Sequence, residues 1–206
     1  MTYRNIIHTL TETRTYRHAL FYQFPGGLRF ELSKDGSSLT QILTALRKAT
    51  MICEDALGKG NPFLVHMQQF IFSSGFELRD TIRELRLAGI EIPKIRDVWY
   101  EEVYESDEYE DGFWINCVFE MQAFCMENLL WCALVTDFPS FHPNPHCLIY
   151  LVNPEKSILI HPYDDRGLDV ICRNSMELTI LYEKYNAWLL DYDKEVMVQT
   201  FEQNKS

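Results

Sequence analysis

Basic side chains are in short supply: 19 lysines and arginines stand against 30 aspartates and glutamates, a formal charge of −11. Such a balance repels nucleic acid phosphates and anionic lipid surfaces, and the partner it favours is a protein with a basic face. Long apolar runs are lacking as well. None approaches the roughly 18–20 uninterrupted residues of a membrane span, and Met1 to Leu10 has no apolar stretch followed by a small-residue cleavage site. A cytoplasmic protein with no membrane and no nucleic acid partner is therefore expected.

Catalytic signatures are equally scarce. Gly-x-Gly-x-x-Gly, a Walker-type loop, Gly-x-Ser-x-Gly and His-Glu-x-x-His do not occur, so no familiar enzyme, no cofactor and no catalytic residue is expected. The six cysteines (Cys53, Cys117, Cys125, Cys132, Cys147, Cys172) sit mostly in apolar runs of a chain well beyond disulfide-scaffold size, which predicts buried reduced thiols. None lies in a nucleophile turn. His142, His146 and Cys147 are zinc-type ligands by composition. Pro143 and Pro145 stiffen that segment and no Cys-x-x-Cys completes the set, so no metal is expected.

What the sequence does hold is core material: 47% apolar and 14% aromatic residues in a chain of 206, read as one domain over residues 1–206 with any seam near 105–111. Gly27 to Leu32 alternates apolar and charged side chains, a half-buried strand with Leu28, Phe30 and Leu32 inward. Leu39, Ile42, Leu43, Leu46, Ala49 and Ile52 or Cys53 then recur at helical spacing between a Ser37 or Ser38 cap and Gly58, which predicts an amphipathic helix of about 18 residues. Residues 62–67 predict a strand. A helix capped by Ser74 follows, with Phe76, Leu78, Ile82, Leu85 and Leu87 on one face and Arg79, Arg83 and Arg86 outward.

Asp97 to Tyr104 and Phe113 to Met121 predict a hairpin, and Glu127 to Phe138 a helix that three prolines break. Strands at 147–152, 157–161 and 168–172, the first two joined by a turn at Asn153-Pro154, lead to a helix that opens at Asn174 with capping-box spacing to Glu177. Leu178, Leu181, Tyr182, Tyr185 and Leu189 share its face, and the polar tail after Met197 is expected to fray. The class these elements predict is α+β, a mixed and largely antiparallel sheet with helices packed on it.

Polar chemistry is densest between two of these strands, at Tyr163-Asp164-Asp165-Arg166-Gly167 with Asp169 close behind. Read as a structural corner, Asp164 or Asp165 accepts backbone N–H groups, Gly167 takes a positive φ, and Arg166 pairs with Asp169 or with a carboxylate elsewhere. Read as an enzyme site, Asp164, Asp165, Arg166 and Asp169 line a cleft and act on a small polar substrate. Adjacent strand residues point to opposite faces, so the two aspartates converge only if the backbone turns between them. The corner is the favoured reading.

From Asn153-Pro154, through Tyr163 to Gly167 and Leu168-Asp169, to the helix Leu181 to Trp188 and Asp191-Tyr-Asp193, the chain resembles an uncharacterised bacterial domain family whose hallmark is Tyr-Asp-Asp-Arg-Gly. The match spans roughly residues 147–193, within a C-terminal module of about 147–195. The family more often has Asp where Asn153 stands, and Pro162 is unusual before the tyrosine. The resemblance implies a bacterial origin and a shared fold, and carries no mechanism with it.

Seven of the eleven residues from Glu101 to Asp111 are acidic: Glu101, Glu102, Glu105, Asp107, Glu108, Glu110 and Asp111, interleaved with Tyr104 and Tyr109. Charge runs are commonly solvated loops, yet aromatics among carboxylates suit docking on a basic protein face by steering and buried anchors. The expected function is binding of a protein partner without catalysis, for instance by an immunity protein that neutralises a polymorphic or contact-dependent toxin. The enzyme reading of Asp164, Asp165, Arg166 and Asp169 is the alternative.

Overall fold

The structure, a computed structural model, describes residues 2–72, 76–102 and 112–203. Its helices are α1 (Tyr3–Leu10), α2 (Leu20–Gln23), α3 (Ser38–Leu57), α4 (Phe76–Leu87), α5 (Met126–Leu134), α6 (Ser175–Lys184) and α7 (Lys194–Gln203). The strands are β1 (Leu28–Glu31), β2 (Phe63–Ile71), β3 (Asp97–Glu102), β4 (Phe113–Met121), β5 (Leu148–Asn153), β6 (Ile158–Asp164) and β7 (Gly167–Cys172). All seven join one sheet in the order β1-β7-β6-β5-β2-β4-β3, and each pairing is antiparallel. The α+β class follows directly: β3 and β4 pair antiparallel as expected, and β5–β6 and β6–β7 turn at residues 154–157 and 165–166.

Both faces of the sheet are covered, which is why β5, β6 and β7 read as nearly continuous apolar runs instead of alternating ones. Phe30, Val65, Phe119, Leu151, Ile160 and Val170 point into the main core, beneath α3, α5, α6 and α7. Leu64, Val118, Val152, Leu159 and Ile171 point the other way, under Ile7 and Leu10 of α1 and under Tyr16 and Leu20 of the strap formed by residues 11–24. Among the described residues no helix is long and apolar enough to cross a membrane.

Local signals set the helix ends. Ser37 accepts the Thr40 N–H at 3.3 Å to start α3, and Gly58 ends it at φ 89°. Asn174 accepts the Met176 N–H at 3.1 Å to start α6, while Glu177 turns away from the cap to pair with Lys156 at 2.9 Å. The Ser74 cap lies outside the described residues.

Several sequence expectations need correction. α6 ends at Lys184, so Leu189 lies beyond the helix it was expected to share and bridges Phe30 instead, and α5 ends at Leu134, short of the expected Phe138. In α3 the inward face is Ile42, Ala45, Ala49, Ile52, Cys53, Ala56 and Leu57, leaving Leu39 and Leu43 about half exposed. The three alanines let the helix lie close on its neighbours, and large residues then have no room there. In α4, Thr81, Glu84 and Leu85 are buried while Phe76 and Leu87 face solvent; Thr81 donates to the Pro145 carbonyl at 2.8 Å, and Glu84 accepts the Asn144 N–H at 3.0 Å. The tail after Met197 is helix α7, anchored by buried Met197 and by Phe201, whose ring stacks on Tyr182 at 4.9 Å.

Candidate functional site

The Tyr163–Asp169 motif forms the β6–β7 turn. Asp164 pairs with Gly167 across it, and the register shifts between Pro162 and Asp164. Asp164 accepts the Arg166 backbone N–H at 2.8 Å and the Arg166 Nε at 3.0 Å, while the Arg166 Nη2 reaches both Asp164 and Asp137. That hydrogen bonding to Asp164, together with the charge beside it, raises the Arg166 pKa. Asp165 faces elsewhere: the Ser33 hydroxyl sits 2.8 Å from its carbonyl and 3.0 Å from its carboxylate. Burial pushes the Asp165 carboxyl above the usual range, and the Ser33 bond opposes that rise. The two neighbouring aspartates thus diverge, each with its own partner.

Gly167 is required for space and not for a positive φ, which it does not adopt. A Cβ at this position would overlap the Tyr163 ring and hydroxyl and approach the Phe30 carbonyl at 3.0 Å.

Asp169 points away from Arg166. It is fully buried and holds Arg29 of β1 in bidentate fashion, Nε to Oδ1 at 2.7 Å and Nη2 to Oδ2 at 2.8 Å, and it also accepts the Phe21 N–H at 3.1 Å. Arg29 reaches Asp193 at 3.3 Å, which Tyr22 also contacts through its hydroxyl at 3.0 Å, and Arg29 lies over the Tyr22 ring at 4.5 Å. Burial alone would lower the Arg29 pKa, but the hydrogen bonds and charge of Asp169 outweigh it and the pKa rises. One buried guanidinium thereby ties β1, β7, α2 and the segment before α7 together.

The same sheet face carries a row of polar rings. Arg29, Asp169 and His161 are direct neighbours across β1, β7 and β6, and His66 stands opposite Tyr150 across β2 and β5. Tyr150 stacks on His161 at 4.4 Å. The Tyr16 hydroxyl lies 2.5 Å from His66 Nδ1, and His66 Nε2 lies 2.9 Å from the Asn116 amide oxygen. Burial pushes His66 down to about 4 and His161 down to about 3, so both rings are neutral near pH 7. Neither ring nitrogen of His161 has a hydrogen-bond partner among the described residues.

The strap closes over this row. Tyr150 donates to the Arg17 carbonyl, and Arg17 pairs with Glu101, which in turn accepts the Trp99 Nε1–H at 2.9 Å. Burial would raise the Glu101 pKa, but the hydrogen bonds from Arg17 and Trp99 hold it below the usual range. Glu12, Thr13 and Ala19 adopt positive φ to shape the strap, and the cavity beneath it, bounded by Tyr16, His66, Trp99 and Glu101, measures about 30 Å³. That is room for about one water and not for a substrate.

Arg29, Tyr16, His66 and Asn116 were not singled out from sequence, and Asp193 entered only as the end of the family resemblance. Period-two alternation assigns Arg29 to solvent, and His66 within Phe63 to Met67 is an unremarked polar residue in an apolar strand. A face on which His66 and Gln68 follow Leu64 is the one available signal of a polar row.

Of the acidic run, Glu101 is engaged inward as described, and Glu102 ends β3 opposite Phe113. Tyr104, Glu105, Asp107, Glu108, Tyr109, Glu110 and Asp111 lie outside the described residues, as does the seam expected near 105–111. The run leaves from an edge of the sheet, for β3 pairs with β4 and has no strand on its other side among the described residues. His142 Nδ1 lies 3.2 Å from Glu84, His146 is exposed and Cys147 is buried. No group of three or more His, Cys, Asp or Glu is arranged to hold a metal among the described residues, and all six thiols are free.

Over 97 residues the chain is 31% identical to the uncharacterized protein YnaE of Bacillus subtilis (strain 168), a match that covers 44% of this chain and 45% of that protein. The chain therefore aligns with less than half the length of this curated relative. No solved structure matches it. The model of the family described as "Domain of unknown function (DUF3885)" matches residues 6–193, from within α1 to the Asp193 that closes the Arg29 cluster. This chain belongs to that uncharacterised bacterial domain family.

Proposed function

We propose that this chain is a cytoplasmic binding protein without catalytic activity, whose acidic β3–β4 hairpin docks on the basic face of a protein partner, in the manner of an immunity protein that neutralises a polymorphic or contact-dependent toxin. The observation that carries this reading is how the motif's charges are spent. Asp164 is matched by Arg166, Asp165 by Ser33, and Asp169 and Asp193 by Arg29. A carboxylate pair that diverges into separate internal partners has no shared site for a small polar substrate. What remains of the charge of −11 includes the dense run of Glu102 to Asp111, which follows an exposed sheet edge where Tyr100 is 65% exposed. An edge hairpin of that charge suits electrostatic steering toward a basic surface.

The test is capture of a partner by tagged wild type from its native lysate, beside a variant carrying Glu105→Lys, Asp107→Lys, Glu108→Lys and Glu110→Lys. A stoichiometric basic partner held by wild type and lost by the variant supports the reading. If that partner alone arrests growth and co-expression of wild type restores it, the immunity role stands as well. Retention of the same partner by the variant would remove the hairpin from the interface.

A further inference from the structure

On the helix-covered face, at the β3 edge, α4 and the segment 88–96 stand away from β3 and β4 and leave a groove of about 670 Å³. Small-molecule sites occupy roughly 300–1,000 Å³. Leu85 and Ile90 are fully buried at its base, and Ile82, Val98, Ile115 and Cys117 complete an apolar lining. The polar groups are few and of mostly one sign: Arg86 and Arg96, with Glu91 as the single carboxylate. Neither arginine has a carboxylate partner among the described residues; Arg96 donates only to the Pro93 carbonyl at 2.9 Å. From Phe76 to Asp97 five basic side chains stand beside five acidic ones, so the segment flanking this groove is neutral in a chain of charge −11. Burial pushes the Cys117 thiol up to about 11; the nearby Arg96 guanidinium opposes the rise and the Asp97 carboxylate adds to it, so charges of both signs stand near this end of the lining.

We infer that this groove binds an amphiphile with an unbranched apolar chain and one anionic headgroup, a medium-chain carboxylate being the simplest example. The chain lies along Ile82, Leu85, Ile90 and Val98, and the headgroup is held between Arg86 and Arg96. Arginine suits this task because its planar fork grips a carboxylate in bidentate fashion. A cationic amphiphile of the same length would meet both guanidinium groups and be rejected, while a purely apolar ligand would leave them unmatched. The groove shares Val98, Ile115 and Cys117 with the strands of the acidic hairpin, but it rests on its own lining and does not depend on the partner-binding reading.

Calorimetric titration of the intact protein with octanoate, decanoate and decyltrimethylammonium, each below its micelle concentration, tests the assignment. Decanoate is expected to bind one per chain and about 15-fold more tightly than octanoate, since each buried methylene contributes about fourfold. The cationic amphiphile is expected to bind at least tenfold more weakly than decanoate. Arg86→Gln removes an exposed side chain that holds nothing in the fold, and it should weaken decanoate at least tenfold; Val98→Trp should block the groove. Decanoate should also slow alkylation of Cys117 in wild type. Absence of decanoate binding, equal affinity for the two headgroups, or unchanged affinity in both variants would overturn the site.

Discussion

Asp169 and Arg166 lie three positions apart in the same motif, yet their surroundings give them opposite weight. Asp169 is fully buried and holds a guanidinium on two oxygens, whereas the Arg166 side chain is 70% exposed. Removing one partner of a buried pair leaves an uncompensated charge and costs about 3–5 kcal/mol, while an exposed pair is worth up to about 1 kcal/mol. Chemical denaturation should therefore show Asp169→Asn to be severely destabilised and Arg166→Ala less so, since the buried Asp164 carboxylate still accepts the residue-166 backbone N–H when the exposed guanidinium is removed. Equal effects would mean that the corner and the Arg29 cluster act as one unit. His161 supplies a second residue-scale test. Its folded pKa of about 3 lies below the unfolded value of about 6.5, so the unfolded chain takes up the proton first and stability falls as pH drops through that window. His66, at about 4, acts in the same direction. Between pH 7 and 5 each ring should remove about 2 kcal/mol. Urea midpoints for His161→Phe should show that much less loss over the same interval; an identical loss would mean that His161 titrates normally in the fold.

At the level of elements, packing decides what periodicity leaves open. The residues after Met197 read as a polar tail, but Phe201 closes on Tyr182, and Met197 itself lies beneath β1, its sulfur 3.2 Å from the Arg29 N–H. Phe201→Ala should cost about 3–5 kcal/mol, measured by thermal or urea unfolding, the range for an emptied aromatic core site. A loss under about 0.5 kcal/mol, the surface range, would restore the frayed tail. Most strand positions were legible because turn residues and β-branched runs are local signals, and Leu28, Phe30 and Leu32 point inward as their alternation requires; β2 runs on to Ile71, past the expected end at Met67, because Gln68 and Gln69 interrupt its apolar run. Helix faces were less legible. In α3 alanines take the close contacts that leucines were expected to make, and in α4 Thr81 and Glu84 are buried because the 142–145 segment satisfies them. The corner was readable as a corner from Asp, Arg and Gly. Its true brace was not, since Arg29 is 140 residues from Asp169 and nothing local at either position announces the other.

Taken whole, the molecule treats its two sheet edges differently. β1 is shielded by the bridge from Phe30 to Leu189 and by the Leu190 N–H bonded to the Arg29 carbonyl at 3.0 Å. β3 has no such cover among the described residues, and it carries exposed Val98 and Tyr100 where the acidic run begins. Open edges invite pairing and are commonly guarded by charge; on the proposed reading the acidic run from Glu101 to Asp111 serves that end and steers a basic surface. The partner-binding account is tested most directly by the association rate constant between wild type and its captured partner, at low and moderate salt, beside the variant charge-reversed at Glu105, Asp107, Glu108 and Glu110. The account predicts association at least tenfold slower for the variant at low salt, with the salt dependence of wild type largely lost. Equal rates at both salt concentrations would contradict it.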